Sequence, residues 1–556
     1  MATLTQILSR WSALQTDRQT RDVLHREIAE VVDPFGVDLI NTTAPVEGTK
    51  QTSKLFDSTA LQSSHLLAAS LHGTMTPSTQ PWLSLRIRQE EWDEDKAVMD
   101  WLEEVARRIH LALRQTNFNT AVHEMYLQLV VAATAPLYCE ELPLAATGTF
   151  GGFRFQSLAW GEYGVSEDAQ GRVDTCYHGV QMRRRNVVEK WPGAPFPTGF
   201  VDKARRSPEE RVEVVHAVEP RRMGQRATRR GTQLPWASAY VLVADKVLLD
   251  EGGYHEFPYM VPRWSKKSNR TYGDGPSHLA LPDIKTLNAA KEYLLKSAPL
   301  SMFPPTLERD DSVIGDLDLT PSGRNAVSGS GPLADMLGFL EPRTRVDMTQ
   351  LVLGDLRQAI KEMYFVPQLQ LQDGPQMTAT EVQVRWELMQ RFLGPTVGRL
   401  ESEFLNPLVE RAFGVMARAH ALPPLPEALR RLGAMPDIDI EYEGPLARAQ
   451  RTIELTAQDR VLQFAMAIDA ANPDAHTMDV LDLDAMLRDR ATITGLPAKM
   501  LRAIEDVRAF RAQRQQANQM AQQIQQGTEI AKAAGAAAPM VRELQAASQT
   551  NGASQR

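Results

Sequence analysis

The residues of this 556-residue chain whose types and spacing could do chemistry are charged and amide side chains, not the nucleophile, base or ligand sets of an enzyme. Lys285, Lys291 and Lys296 recur roughly a turn or two apart along a helix that Pro282 is expected to open, and read as one positive side. Such a row can contact phosphates; taken by itself it is first a solvated helix face. Arg221, Arg222, Arg226, Arg229 and Arg230 crowd a segment containing Gly and Thr. That cluster could hold nucleic acid or an acidic partner. The favoured reading is a solvated loop or a contact between subunits, because arginine is enriched at interfaces. Val366 to Gln376 reads as an exposed loop in which Gln368, Gln370 and Gln372 precede Gly374 and Pro375. It offers uncharged polar contacts, or is merely a solvated turn.

The common catalytic patterns fail together. No G-x-x-x-x-G-K-[ST] loop is present, so there is no Walker-type ATP site. Gly273-Asp274-Gly275 lacks the third glycine of a dinucleotide turn and runs into Pro276. His123-Glu124 lacks the second histidine of H-E-x-x-H and reads as a helix-surface pair. Ser328-Gly329-Ser330-Gly331 is no nucleophile elbow, since residue 328 is not glycine. The 11 histidines are scattered. Cys139 and Cys176 have no metal or redox spacing and read as packed thiols in a reducing cytosol. The expectation is a chain without catalytic residues, cofactor or metal.

A chain of 556 residues suffices for several domains. A net charge of -8 argues against a surface that grips nucleic acid everywhere. The start, Met-Ala-Thr-Leu-Thr-Gln, lacks the charged and apolar regions of a signal peptide. The longest apolar run, Leu127 to Leu137, is too short for a membrane span and contains Gln128. Synthesis and assembly in the cytosol, without a membrane partner, are expected.

Periodicity supplies the elements. Leu4, Ile7, Leu8, Trp11 and Leu14, then Leu24, Ile28 and Val31, recur at helix spacing until Asp33-Pro34. A second helix is expected over about 53–71, ended by Gly73 and Pro77. Val98, Trp101, Leu102, Val105 and Ile109 mark a third, and Asn119 is the expected N-cap of a fourth, reaching about Ala133. The period then drops to two. Phe153 to Ser157 reads as a strand, and Tyr163 to Asp168, a turn at Ala169-Gln170-Gly171, and Arg172 to Met182 read as a hairpin. Arg211 to Val218 and Trp236 to Val243 alternate as strands. Past the helix from Pro282, which Pro299 and Pro304-Pro305 should end, residues 305–345 read as strands and turns. A further helix should carry Met348, Val352, Leu356, Ile360 and Met363 on one face. A long helix from Thr378 with a kink at Gly394-Pro395, a strand at Ile438 to Tyr442, and helices from Pro445 to about Gln525 complete an α+β, mainly helical chain. The Ala/Gln-rich tail from about residue 527 is expected to stay disordered.

Met377-Thr378-Ala379-Thr380-Glu381-Val382, with Arg385, Glu387 and Leu393-Gly394-Pro395 and then Arg399-Leu400-Glu401-Ser402-Glu403, resembles the helix after the tunnel loop in portal (head-to-tail connector) proteins of short-tailed, podovirus-type phages. The resemblance extends from Trp11 to about Gln450. It includes Leu55-Phe56-Asp57-Ser58-Thr59, Thr76-Pro77-Ser78, the turn Asp168 to Val173, Pro262-Arg263-Trp264, Leu281-Pro282-Asp283-Ile284-Lys285, and Ile440-Glu441-Tyr442-Glu443-Gly444-Pro445. Gly444 stands where serine is common in that family.

This resemblance implies a phage portal fold, with wing, stem, clip and crown assembled as a ring, usually of about twelve identical subunits, around a central channel. Residues 1–280 would be the wing, 281–304 the first stem helix, 305–345 the clip, 346–365 the second stem helix and 366–377 the tunnel loop. Residues 378–449 would hold the long kinked helix and the return to the wing, 450–526 the crown, and 527–556 the flexible tail. In a ring, Lys285, Lys291 and Lys296 would stack as belts facing double-stranded DNA, with Gln368, Gln370 and Gln372 brushing it. The implied partners are the terminase packaging motor, major capsid and scaffolding proteins and a tail adaptor protein, in the virion at the capsid portal vertex. Rival readings are another head–tail adaptor ring, usually much shorter, and a nucleic-acid enzyme, against which the missing phosphate loop speaks.

Overall fold

In the computed structural model the first helix, α1 (Leu4–Val32), begins on a capping box: Gln6 N–H donates to Thr3 Oγ1 (3.4 Å) and Thr3 N–H to Gln6 Oε1 (2.8 Å). It ends at Asp33, as the following proline requires. The structure describes residues 3–34, 52–78, 81–87, 95–143, 150–221, 234–303, 305–309, 318–327, 337–339, 346–369, 394–430, 438–442, 458–468, 470, 481, 483–494, 500, 502 and 506–520. The chain divides into two units, Met1–Arg86 with Glu104–Leu425 and Asp437–Gln450, and Ile87–Glu103 with Pro426–Pro436 and Arg451–Arg556.

Helix α2 (Thr59–Met75), strand β1 (Leu83–Ile87), α3 (Lys96–Arg114) and α4 (Phe118–Ala132) follow. Then come β2 (Leu137–Glu141), β3 (Phe153–Ser157), β4 (Tyr163–Glu167), β5 (Val173–Arg183), short helices α5 (Arg184–Lys190) and α6 (Phe200–Arg206), and β6 (Arg211–Pro220), β7 (Trp236–Leu242), β8 (Val247–Tyr254) and β9 (Tyr259–Met260). Strands β4 to β8 form a five-stranded antiparallel sheet in chain order, and β3-β2-β9 form a second sheet. The expected hairpin is present: Asp168 Oδ1 accepts from the N–H of Gln170 (2.9 Å) and Arg172 (2.8 Å), and Gly171 takes φ +80° to close the turn.

Ile7, Trp11 and Leu14 of α1 pack on Tyr177, Val215, Ala217, Ala239 and Val241 of the large sheet. Each large side chain buried this way contributes ~1.5–3 kcal/mol. The approach is close enough that a Cβ on Gly164 would lie 2.8 Å from Leu14 and one on Gly179 2.9 Å from Trp11, so these two strand positions must be bare. Val187, Trp191 and Phe200 of the α5–α6 segment cover Val212, Val214, Leu242 and Leu249.

After the sheets, α7 (Pro276–Met302), β10 (Thr306–Arg309), β11 (Arg324–Val327), β12 (Leu337–Phe339), α8 (Val346–Met363) and α9 (Val366–Leu369) follow. The expected strands of 305–345 form a small sheet in which β10 pairs parallel with β11 and antiparallel with β12. Residues 394–400 are helical and run through a π-helical turn, Glu401–Leu405, into α10 (Asn406–Arg418). Then come α11 (Glu427–Arg430) and β13 (Ile438–Tyr442), which pairs with β1. In the second unit the described residues of 458–468, α12 (Leu483–Thr494) and 506–520 are helical.

Several boundaries differ from expectation. Helix α7 starts at Pro276, not Pro282, because extended Gly275 followed by proline at the first helical position is itself a strong start. Pro282 and Pro299 lie inside it, on its exposed side. Helix α2 continues past Gly73 to Met75, whose burial offsets the ~1 kcal/mol cost of an interior glycine. The N-cap position of α4 is Asn117, not Asn119, and its side chain caps nothing. It grips strand β3 instead, donating to Phe155 O (2.7 Å) and accepting from Phe155 N–H (2.9 Å). On α8 the inward positions are Leu353 and Ile360, whereas Val352 is 51% exposed. The long helix expected from Thr378 is described only from residue 394.

Candidate channel helices and the ion pairs that seat them

Helices α7 and α8 flank the small β10–β12 sheet and pack on each other and on α2. The inward face of α7 is Ser277, Ala280, Leu281, Ile284, Leu287 and Asn288, all buried. Ser277 Oγ donates to Val130 O of α4 (2.8 Å) and accepts from the hydroxyl of Tyr364, just past the end of α8 (2.8 Å). One buried hydroxyl therefore joins three helices.

The three lysines do not share a side. At about 100° per residue, Lys291 is rotated by about 240° from Lys285, while Lys296 returns to within about 20° of it. Lys291 thus joins the inward face, and Lys285 and Lys296 flank the outward one. All three ammonium groups have carboxylate partners: Lys285 with Glu27 of α1 (2.6 Å), Lys291 with Asp57 (3.2 Å) and Lys296 with Glu292 one turn earlier (2.6 Å). The sequences of α7 and α8 hold five basic residues (Lys285, Lys291, Lys296, Arg357, Lys361) and five acidic ones (Asp283, Glu292, Asp347, Asp355, Glu362), so the helix pair has no net charge.

Asp57 is the hub that sequence reading passed over. It is 6% exposed and sits just before α2. Its Oδ1 accepts from Thr59 N–H (2.9 Å) and its Oδ2 from Lys291 Nζ of α7 (3.2 Å) and Arg357 Nε and Nη2 of α8 (3.0 and 2.8 Å). Burial, the largest single effect, pushes its pKa up. The bonds from Thr59, Arg357 and Lys291 together outweigh it and hold the carboxyl at about 2. Asn288 completes the clamp: its Oδ1 accepts from the N–H of Phe56 (2.8 Å) and Asp57 (3.0 Å) and its Nδ2 donates to Lys54 O (2.6 Å). An Asp two residues before a Thr at a helix start was the available signal.

A second hub holds the segment after the candidate channel. Arg263 is 1% exposed and donates to Glu403 (Nη2, 2.6 Å), to Glu167, to Thr271 O (3.1 Å) and to Gly171 O (3.1 Å). The π-helical turn shifts the register of residues 401–405 by one, with Asn406 N–H bonded to Glu401 O, and Glu403 stands in that turn. Pro262-Arg263-Trp264 and the run to Glu403 carried the resemblance in sequence; in space they are one ion-pair cluster. Arg411 donates to Cys139 O (3.0 Å) and Glu256 O (3.2 Å), and Arg418 forks onto the Glu256 carboxylate (2.5 and 2.7 Å).

Of the arginine cluster, Arg221 is half-buried and spends its guanidinium on Leu234 O (3.1 Å) and Gly252 O (3.2 Å). Arg222, Arg226, Arg229 and Arg230 lie outside the described residues, as do Gln370 and Gln372. Gln368 is half-buried in α9, its Oε1 without a partner among the described residues. No group of His, Cys, Asp and Glu among the described residues could hold a metal ion.

Helices α7 and α8 stand on either side of the small β10–β12 sheet in the chain, and ion pairs from Lys291 and Arg357 to Asp57 fasten them to the start of α2. Residues 4–501 match the family model for bacteriophage head to tail connecting proteins, and the chain belongs to that family. It is 30% identical over 520 residues to a probable portal protein of Bordetella phage BPP-1, covering 91% of this chain and 90% of that relative. A portal protein of Salmonella phage epsilon15 is 25% identical over 520 residues, covering 92% of this chain and 90% of that one. No described helix is long and apolar enough to cross a membrane.

Proposed function

We propose that the chain is the repeating subunit of a portal ring, of about twelve copies by the family's habit, through which double-stranded DNA is packaged and ejected. The observation that carries this is the family match across residues 4–501. Large apolar side chains exposed on the candidate stem helices support assembly: Tyr293 (69%) on α7, and Leu351 (67%) and Val352 (51%) on α8. The role is structural. The ring docks the terminase motor during packaging and a tail adaptor afterwards, and meets the major capsid and scaffolding proteins at one vertex.

The electroneutral α7–α8 pair suits a conduit, since an unopposed basic lining would hold phosphates and slow a sliding duplex. Within it, Lys285 and Lys296 are the channel candidates, each tempered by its own carboxylate; Lys291 belongs to the Asp57 clamp. Electron microscopy and mass measurement of the purified protein test the reading. Closed rings with a central hole are expected. A chain that stays monomeric at every concentration and ionic strength would overturn it.

A further inference from the structure

Residues 183–211 carry a concentration of positive charge that the conduit does not use. Eight basic side chains (Arg183, Arg184, Arg185, Lys190, Lys203, Arg205, Arg206, Arg211) stand against four acidic ones (Glu189, Asp202, Glu209, Glu210), a net of +4 in a chain whose total is -8. The fold gathers them at one end of the five-stranded sheet. Arg183 ends β5 and Arg211 begins β6 as direct cross-strand partners. Lys203, Arg205 and Arg206 occupy the last turn of α6, a few residues before Arg211. Arg183 and Arg185 share a single carboxylate, Glu209 (2.8 and 2.7 Å), and Arg184 takes Glu210 (2.8 Å). Lys203, Arg205, Arg206 and Arg211 are exposed, and no carboxylate among the described residues pairs with them.

Fold stability does not account for this arrangement. The end of a helix dipole favours Lys203, Arg205 and Arg206, but like charges directly opposite in a sheet are unfavourable, and Arg183 faces Arg211. The negative remainder of the chain does not cancel the patch at short range, because charges more than about 10 Å away are largely screened at 0.1 M salt.

We propose that this sheet end binds the phosphate backbone of double-stranded nucleic acid, at a surface built on β5, β6 and α6 and not on the candidate channel helices α7 and α8. Two features of the described residues of the patch favour that partner. Protein interfaces centre on large aromatic and apolar anchors with charge at the rim, whereas here Trp191 and Phe200 are buried beneath the patch, Phe196 is half-buried and stacked on Phe200, and Val201 (37% exposed) stands among more numerous exposed charges. Single strands are held by bases stacked on exposed rings, and the Trp191 and Phe200 rings are inside. A surface in which guanidinium and ammonium groups outnumber the exposed apolar side chains, of which Val201 (37%) is the large one among the described residues, matches a backbone contact that reads no sequence.

The test uses the full-length assembled protein and a covalently closed circular DNA duplex, which has no end to thread a closed ring. Binding is followed by anisotropy or sedimentation over a range of salt. The wild type should bind the circle at low ionic strength, with affinity falling steeply as salt rises. The K203Q/R205Q/R206Q/R211Q and K203E/R205E/R206E/R211E variants should lose that binding, the log–log salt slope of the Gln variant falling by about 3 to 4 units. Unchanged circular dichroism and ring images exclude unfolding as the cause, and if the Glu variant misfolds the Gln variant decides. Wild type that does not bind the circle, variants that bind as wild type does, or preference for polyglutamate over duplex would each overturn the proposal, the last in favour of an acidic protein segment.

Discussion

Asp57 and Lys285 show how alike two ion pairs can look and how differently they weigh. Lys285 and Glu27 are both about half exposed, and such pairs contribute ~0–1 kcal/mol. Asp57 is buried and answers two cations on two helices, so removing its charge leaves Lys291 and Arg357 without their partner. Asp57→Asn should therefore cost about 2 kcal/mol or more, while Lys285→Gln should stay within about 0.5 kcal/mol. Denaturant melts of the two variants check this, and equal midpoints would remove Asp57 from its role as clamp. The composition of the chain offered no means of ranking them: a lysine and an aspartate 234 residues apart meet only when α7 lies on the start of α2.

At the level of elements, histidines with little exposure tie α1 to α7 and the large sheet to β9. His25 of α1 lies 3.1 Å from His278 of α7, nitrogen to nitrogen, and 3.2 Å from Ala132 O. His216 of β6 bonds Tyr259 (2.7 Å) and Ser238 (3.0 Å). Burial is the largest cause of four lowered pKa values: His278 to about 4 through burial and then Arg21, His178 to about 3 through burial and then Lys190, and His25 and His216 well below 6.5 through burial and then the neighbouring His278 and His178. A depressed histidine means the unfolded chain takes up the proton first. Their contribution is whole above the unfolded pKa near 6.5 and is lost as pH falls toward 4 and 3. His278 alone accounts for on the order of 3 kcal/mol across that window. Melting temperature should therefore drop between pH 6.5 and 4, and His278→Gln should flatten that drop. A flat profile from 7 to 4 would show that these rings are already charged in the folded state.

For the whole molecule, the tail from Gly527 gives the cleanest test of what assembly needs. Ala, Gln and Ser dominate it and offer little apolar surface to bury. A chain ending at residue 526 should form the same rings as the full chain by microscopy and mass. Loss of rings would make the tail an assembly element. In the second unit, by contrast, Phe464 (70%), Leu487 (64%) and Phe510 (55%) leave apolar surface exposed among the described residues.

Periodicity alone determined most elements: α1 with its stop at Asp33, α3 with its buried Val98, Trp101, Leu102, Val105 and Ile109, and the hairpin at Gly171, because 3.6- and 2-residue repeats and φ > 0 turns are local properties. The motif runs determined the family, which residues 4–501 bear out. The start of α7 was also written locally, in Gly275-Pro276, behind the more conspicuous Pro282. Only the tertiary structure decided which charges matter. Lys285, Lys291 and Lys296 are one residue type on one helix, and the rotation of that helix against α1, α2 and α8 gives one of them a buried aspartate and the others half-exposed partners. Arg263, Glu167 and Glu403 likewise become one cluster only after the π-helical turn places Glu403 beside the hairpin. Ion-pair strength depends on burial and distance between residues far apart in the chain, and neither quantity exists until the chain has folded.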